Sequence, residues 1–198
     1  MCSHRKTAPI LIGYFSNGIR LAAELGCEYM EVNSGWGYWN EDKEEAWKRS
    51  ADMLHRLAEV AEENNVTLVM ESIRPEESQL VIDLPAAQRM LREEDRSVTD
   101  RFYHEVHTCA MGVAGETLED WFRALGPDIR HMHFIDGTPY GHLVWGDGLY
   151  PLEKYLDVLN EFGYEGLLGQ EITDGRYFMD PAAADARNMK NFERYIED

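Results

Sequence analysis

Glu71, His107, His133 and Glu171 each stand at or near the end of a separate short apolar run: Val66 to Glu71, Phe102 to His107, Ile129 to His133 and Gly166 to Glu171. Two carboxylates and two imidazoles, if they meet, can hold one divalent ion. Such oxygen and nitrogen donors suit Mn, Co, Zn, Fe or Mg better than a soft copper site does, and four of them leave positions open for a substrate's oxygens. A bound ion would polarise a carbonyl and its neighbouring hydroxyl, making the adjacent C–H acidic. Glu71 and Glu171, on opposite sides of that substrate, could then remove and return the proton. Epimerisation beside a ketone and aldose–ketose isomerisation both need this.

The elements that must position these groups follow from hydrophobic periodicity. Each run reads as a buried strand followed by turn residues and a helical stretch, so the four side chains would gather at the carboxyl edge of one parallel sheet. Upstream, the spacing predicts a helix from Ile12 to Leu25, stopped by Gly26, and a strand over the apolar run Cys27 to Asn33. A long amphipathic helix is predicted over 42–64, with Ala46, Trp47, Met53, Leu54, Leu57 and Val60 on or near one face, ended by Asn64 and Asn65. Pro85, Pro151 and Pro181 stand where first helical turns would begin.

Five strands alternating with helices fit either an open doubly wound sheet or a (β/α)8 TIM-type barrel. No G-x-G-x-x-G or G-x-x-x-x-G-K-[ST] favours nucleotide binding, and chemistry-bearing residues on several strand ends favour the barrel. A barrel needs eight strands and about 250 residues, whereas this chain has 198. The expectation is therefore a single partial barrel over 1–198 that lacks about three amino-terminal βα units. Either the chain is a fragment of a longer gene, or an open partial barrel must cover its exposed strand edges by self-association into a homo-oligomer.

Composition narrows the partners. The net charge of -18 repels nucleic acid, and no run approaches the roughly 20 apolar residues of a membrane span. Cys2, Cys27 and Cys109 are odd in number and scattered, which places the chain in a reducing cytoplasm, with Cys27 and Cys109 as small core residues.

Plainer roles compete for every candidate. A glutamate ending a strand is commonly a helix cap or a surface charge, and a lone histidine is commonly a satisfied buried group. His131 and His133 share one strand face, and His133, nearer the strand end, is preferred as the ligand. His104 and Glu105 compete with His107. The loop from Asp136 to Gly148 follows the His133 strand and is rich in turn residues, with His142 and Trp145 suited to a substrate wall. Trp36, Tyr38 and Trp39 suit an aromatic lid over a sugar or a partner contact. Arg74 and Glu77 could hold polar substrate groups, Arg176 a carboxylate or phosphate, and His4 and His55 read as surface residues.

The order Val-Met-Glu71-Ser-Ile-Arg-Pro-Glu-Glu77-Ser, Ala-Gly115-Glu-Thr-Leu, His-Met-His133-Phe-Ile-Asp136, Gly-His142, Trp-Gly-Asp147-Gly148 and Gly-Gln-Glu171 resembles the xylose-isomerase-like sugar phosphate isomerase/epimerase superfamily. Within it the chain is most similar to ketose 3-epimerases of the tagatose and fructoselysine epimerase kind. The resemblance implies a (β/α)8 barrel, one Mn, Co or similar ion, a sugar substrate and proton transfer through a metal-bound enediolate. It implies Glu71 and Glu171 as ligands and acid/base pair and His133 as a ligand, with Glu77, His142 and Asp136 facing the sugar or organising the loop. Where the family usually has Asp, this chain has His107, and Ala110 stands where many relatives carry a substrate histidine. A non-catalytic barrel remnant is the competing reading. A metal-dependent phosphodiesterase or nuclease on the same barrel would need more ligands and a basic groove.

Overall fold

The computed structural model describes residues 8–93 and 101–196. Cys2 and His4 lie outside these residues. Five strands, β1 (Tyr29–Asn33), β2 (Thr67–Glu71), β3 (Phe102–His107), β4 (Ile129–His133) and β5 (Leu167–Gly169), form one parallel sheet in sequential order. The helices are α1 (Ala8–Glu24), α2 (Lys43–Glu63), α3 (Leu84–Glu93), α4 (Thr108–Val113), α5 (Leu118–Leu125), α6 (Leu152–Glu161) and α7 (Pro181–Ile196). This is the βα alternation of a barrel, present as five strands.

The sheet curls. In a flat sheet β1 and β4 would stand three strand spacings, about 14 Å, apart, yet Glu31 of β1 and His133 of β4 meet at 3.0 Å through Oε2 and Nε2. Curling divides the strand residues by parity. Leu68, Met70, Val106 and Met132 point outward and are fully buried in the main core with helical residues such as Leu54, Leu57, Met90 and Trp121. Polar residues of the opposite parity face the concave interior.

Local chemistry sets the element ends. Asp42 caps α2 by accepting the Glu45 N–H at 3.0 Å, and Glu44 and Glu45 in the first turn oppose the helix dipole. The buried face of α2 repeats at three- and four-residue spacing through Ala46, Trp47, Ser50, Met53, Leu54, Leu57, Ala58 and Ala61. Asn65 then takes a positive φ of 60°, turning the chain into β2. Pro85 and Pro181 lie in the first turns of α3 and α7, whereas Pro151 stands just ahead of α6 as its cap residue. Cys27 is exposed, correcting its expected place in the core, because it falls in the connection before β1; Cys109 is buried.

His104 belongs to this outer core. It is fully buried, its ring lies 5.1 Å from that of Trp121, and Nε2 is 3.3 Å from Ser72 Oγ. Burial depresses its pKa from 6.5 to about 3. Between those values the unfolded chain binds a proton that the folded chain refuses. Stability should therefore be complete above pH 6.5 and fall as pH drops, by up to about 1.4 kcal/mol per unit from this group. Urea midpoints between pH 7.5 and 5.5 should flatten in His104→Gln; an unchanged slope would sink the assignment.

Candidate metal centre

Strands β2, β3 and β4 end on Glu71, His107 and His133, and β5 ends two residues before Glu171. Register sets Glu71 beside Glu105, His107 beside His133, and His133 beside Gly169. All four predicted residues come together, with one ligand-capable atom from each lying within 4.8 Å of the others. His107 Nε2 is 2.9 Å from Glu171 Oε2 and 3.8 Å from Glu71 Oε1. His133 Nδ1 is 3.4 Å from Glu171 Oε2 and 3.5 Å from Glu71 Oε1. That nitrogen is buried and hydrogen-bonds to nothing among the described residues.

The rings are fixed from behind. Glu31 Oε2 lies 3.0 Å from His133 Nε2, and although burial works against it, the carboxylates of Glu171, Glu31 and Glu71 hold the imidazole's pKa far above its usual range, so an ion between Glu71 and Glu171 would displace the proton on Nδ1. Sequence reasoning missed Glu31; its signal was parity, since Tyr29, Glu31 and Asn33 alternate onto one strand face. Glu105, the competitor of His107, lies beneath the cluster and accepts the His133 backbone N–H through Oε1. Burial raises its carboxyl well above the ordinary range. His104 faces the other way.

The two candidate acid/base carboxylates are pushed apart. Burial raises Glu71, against the opposing pull of His133. Burial also acts on Glu171, but the three histidines around it, His107, His133 and His142, overcome it and hold that carboxyl far below its usual range. His142 places Nε2 3.2 Å from Glu171 Oε2 and 3.0 Å from His107 Nε2.

His107 has a second duty. Its Nδ1 accepts the Cys109 N–H at 3.1 Å, capping α4. A neutral imidazole that accepts at Nδ1 carries its proton at Nε2, the atom facing Glu171. To ligate an ion through Nε2 the ring must move that proton to Nδ1 and give up the cap. An aspartate could take the amide on one oxygen and the ion on the other. His107→Asp should therefore tighten Mn²⁺ binding by about tenfold or more, the scale on which supporting contacts tune a metal site. Competition with a chelating dye measures it, and unchanged affinity would count against His107 as a ligand.

A cleft of about 310 Å³ opens beside the cluster, lined by Trp36, Arg74, Glu77, Ala110 and His142 along with Glu71, His107 and Glu171. Arg74 grips Glu77 with two bonds of 2.9 Å, so this pair presents a fixed polar wall. Trp36 is 69% exposed at the rim. A larger cleft of about 410 Å³ lies at the other end of the strands, by Tyr29 and Tyr164, and holds none of the cluster. Three expected neighbours are elsewhere. Trp145 is core rather than wall, its indole N–H donating to Phe134 O at 3.1 Å. Asp136 is 1% exposed and committed to backbone N–H groups of its own loop. Arg176 is exposed and bound to Asp174 at 3.0 Å, outside the cleft lining.

A curled parallel sheet with acid and imidazole groups on its carboxyl edge defines a class, and the chain belongs to the xylose isomerase-like TIM barrel family, whose model matches residues 12–195. Fructoselysine 3-epimerase of Shigella flexneri is 26% identical over 180 residues, which are 90% of this chain and 64% of that protein. Thus the chain spans just under two thirds of that relative. Among solved structures, D-psicose 3-epimerase from Clostridium cellulolyticum H10 superposes with a TM-score of 0.79 at 17% identity, covering 98% of this chain and 72% of that one. The 3-keto-D-glucoside 4-epimerase from E. coli gives the same TM-score and identity over 92% of this chain and 70% of its own. At these identities the solved structures show the fold. Among the described residues no helix is long and apolar enough to cross a membrane.

Proposed function

We propose that the chain carries the metal site and proton-transfer groups of a sugar isomerase or epimerase, with ketose 3-epimerisation as the reaction and Mn²⁺ or Co²⁺ as the ion. One observation carries this reading: the buried His133 Nδ1, without a hydrogen bond among the described residues, lies between Glu71 and Glu171, beside a polar cleft. The names of the fructoselysine 3-epimerase relatives support it.

Glu71, Glu171 and His133 Nδ1 would hold the ion, with His107 joining through Nε2 once its proton moves. When bound, the ion would withdraw electron density from a ketose carbonyl and its adjacent hydroxyl, acidifying the C3–H. Glu171 Oε2 is engaged by His107 and His142, which leaves Oε1 as the oxygen that takes the proton. Glu71, whose carboxyl burial raises, returns one from Oε2 on the other face of the sugar. Arg74 and Glu77 would bind hydroxyls, and Trp36 would lie against a sugar face and exclude water.

Incubation of the Mn²⁺-loaded chain with ketoses in D2O tests this. Deuterium should enter at C3 and the C3 epimer should appear. A folded, metal-loaded chain that does neither with a panel of free and phosphorylated ketoses would favour the remnant reading.

A further inference from the structure

A second set of ligands meets on the concave face. Glu31, His131 and His133 each offer an atom within 4.8 Å of the others. Chain proximity pairs the two histidines on β4, but Glu31 comes from β1 on the opposite side of the curl, so only the fold brings it to them. The His131 and His133 rings lie edge to face with centroids 5.5 Å apart. Glu31 Oε2 and His133 Nε2, 3.0 Å apart, are spaced as neighbouring ligands on a cation with bonds of about 2.0–2.2 Å would be. Room is kept above the pair: a Cβ on Gly169 would come within 3.2 Å of His131 Nε2 and 3.3 Å of His133 Cδ2.

We propose that Glu31, His131 and His133 Nε2 form a second site for a divalent transition-metal ion, exclusive of the first because both draw on the single lone pair of one imidazole ring. A neutral imidazole has one N–H and one free lone pair. With the ion between Glu71 and Glu171, His133 ligates through Nδ1 and donates Nε2–H to Glu31. With the ion at the second site, Nε2 ligates and Nδ1–H turns to the inner carboxylates. Two imidazoles and one carboxylate favour Zn²⁺, whereas the carboxylate-rich inner set accepts Mn²⁺ more readily. An ion at the second site would tie β1 to β4 across the curl. Only the exclusivity rests on the proposed function; the second trio stands without it.

Zn²⁺ content and affinity, measured by equilibrium dialysis with elemental analysis, test this in four proteins: the unaltered chain, Glu71→Gln/Glu171→Gln, His131→Gln, and the triple variant. The unaltered chain and the first two variants should each hold one ion. The triple variant should bind at least about 100-fold more weakly than the double one, beyond the 10–100-fold that an outer contact costs. An empty Glu71→Gln/Glu171→Gln variant beside a loaded unaltered chain would overturn the second site and leave the proposed function intact. Equal affinity in the double and triple variants would also overturn it. Two ions in the unaltered chain would overturn the exclusivity. An empty His131→Gln variant would instead uphold the second site and remove the inner one. Should the triple variant fail to fold, the ¹⁵N shifts of the His131 ring in the Zn²⁺-loaded double variant decide: a ligated nitrogen supports the site, unchanged shifts overturn it.

Discussion

Glu171→Gln should lower the rate of C3 hydrogen exchange by about 10²- to 10⁴-fold, the range of a positioned general base. His107 Nε2 and His142 Nε2 lie at 2.9 and 3.2 Å from Oε2, so the proposed base is fixed through that oxygen and would present Oε1 to the substrate. An amide cannot reproduce this in either orientation. With its oxygen toward the histidines, the NH2 group faces the substrate and accepts no proton. With its NH2 toward the histidines, it meets the N–H of His107 and loses that bond. The proton-transfer step should suffer more than binding, so kcat should fall while KM moves little. Single-turnover exchange in D2O at saturating Mn²⁺ separates the loss of a base from the loss of the ion. A variant that keeps more than a tenth of the exchange rate with metal bound would remove Glu171 as the base.

Glu71, His107, His133 and Glu171 are legible in the sequence because strand ends in successive βα units fall on one edge, and apolar runs mark those ends. The same logic locates β3 and β4 at their observed bounds. Parity across the sheet is harder to read. Glu31 sits inside the run Cys27 to Asn33, where sequence alone leaves both faces open; the register with β2 and the curl bring it to His133. His104 and Glu105 are adjacent, so they face opposite ways, one into the helical layer and one under the cluster. Loop side chains are least legible. Trp145 and Arg176 look equally suited to a substrate, but contacts with Phe134, Asn188 and Asp174, distant or local, decide their directions.

Asp136→Ala should cost about 4 kcal/mol of stability, and Asp136→Asn nearly as much. The carboxylate accepts four backbone N–H groups: Gly137 and Tyr150 on Oδ1 at 2.8 and 2.9 Å, Gly146 and Gly148 on Oδ2 at 2.9 and 2.8 Å. Both oxygens are thereby committed to the loop, which is why this residue organises it rather than facing a sugar. Bonds to a buried charge are worth about 1.5–3 kcal/mol each, they are not additive, and an alanine leaves the donors without acceptors. Asparagine keeps the shape but turns an NH2 group toward two of the N–H donors, donor against donor. Gly148 belongs to the same arrangement, for a Cβ there would stand 2.2 Å from Asp136 Oδ1. The loop carries His142 to Glu171, so its loosening should weaken Mn²⁺ binding along with the fold. At about 2–4 °C per kcal/mol for a chain of this size, the thermal midpoint should fall by roughly 8–16 °C. A melting curve for Asp136→Asn within about 2 °C of the unaltered chain would show that water replaces these bonds without loss, and that His142 is held in place by Glu171 and His107 alone.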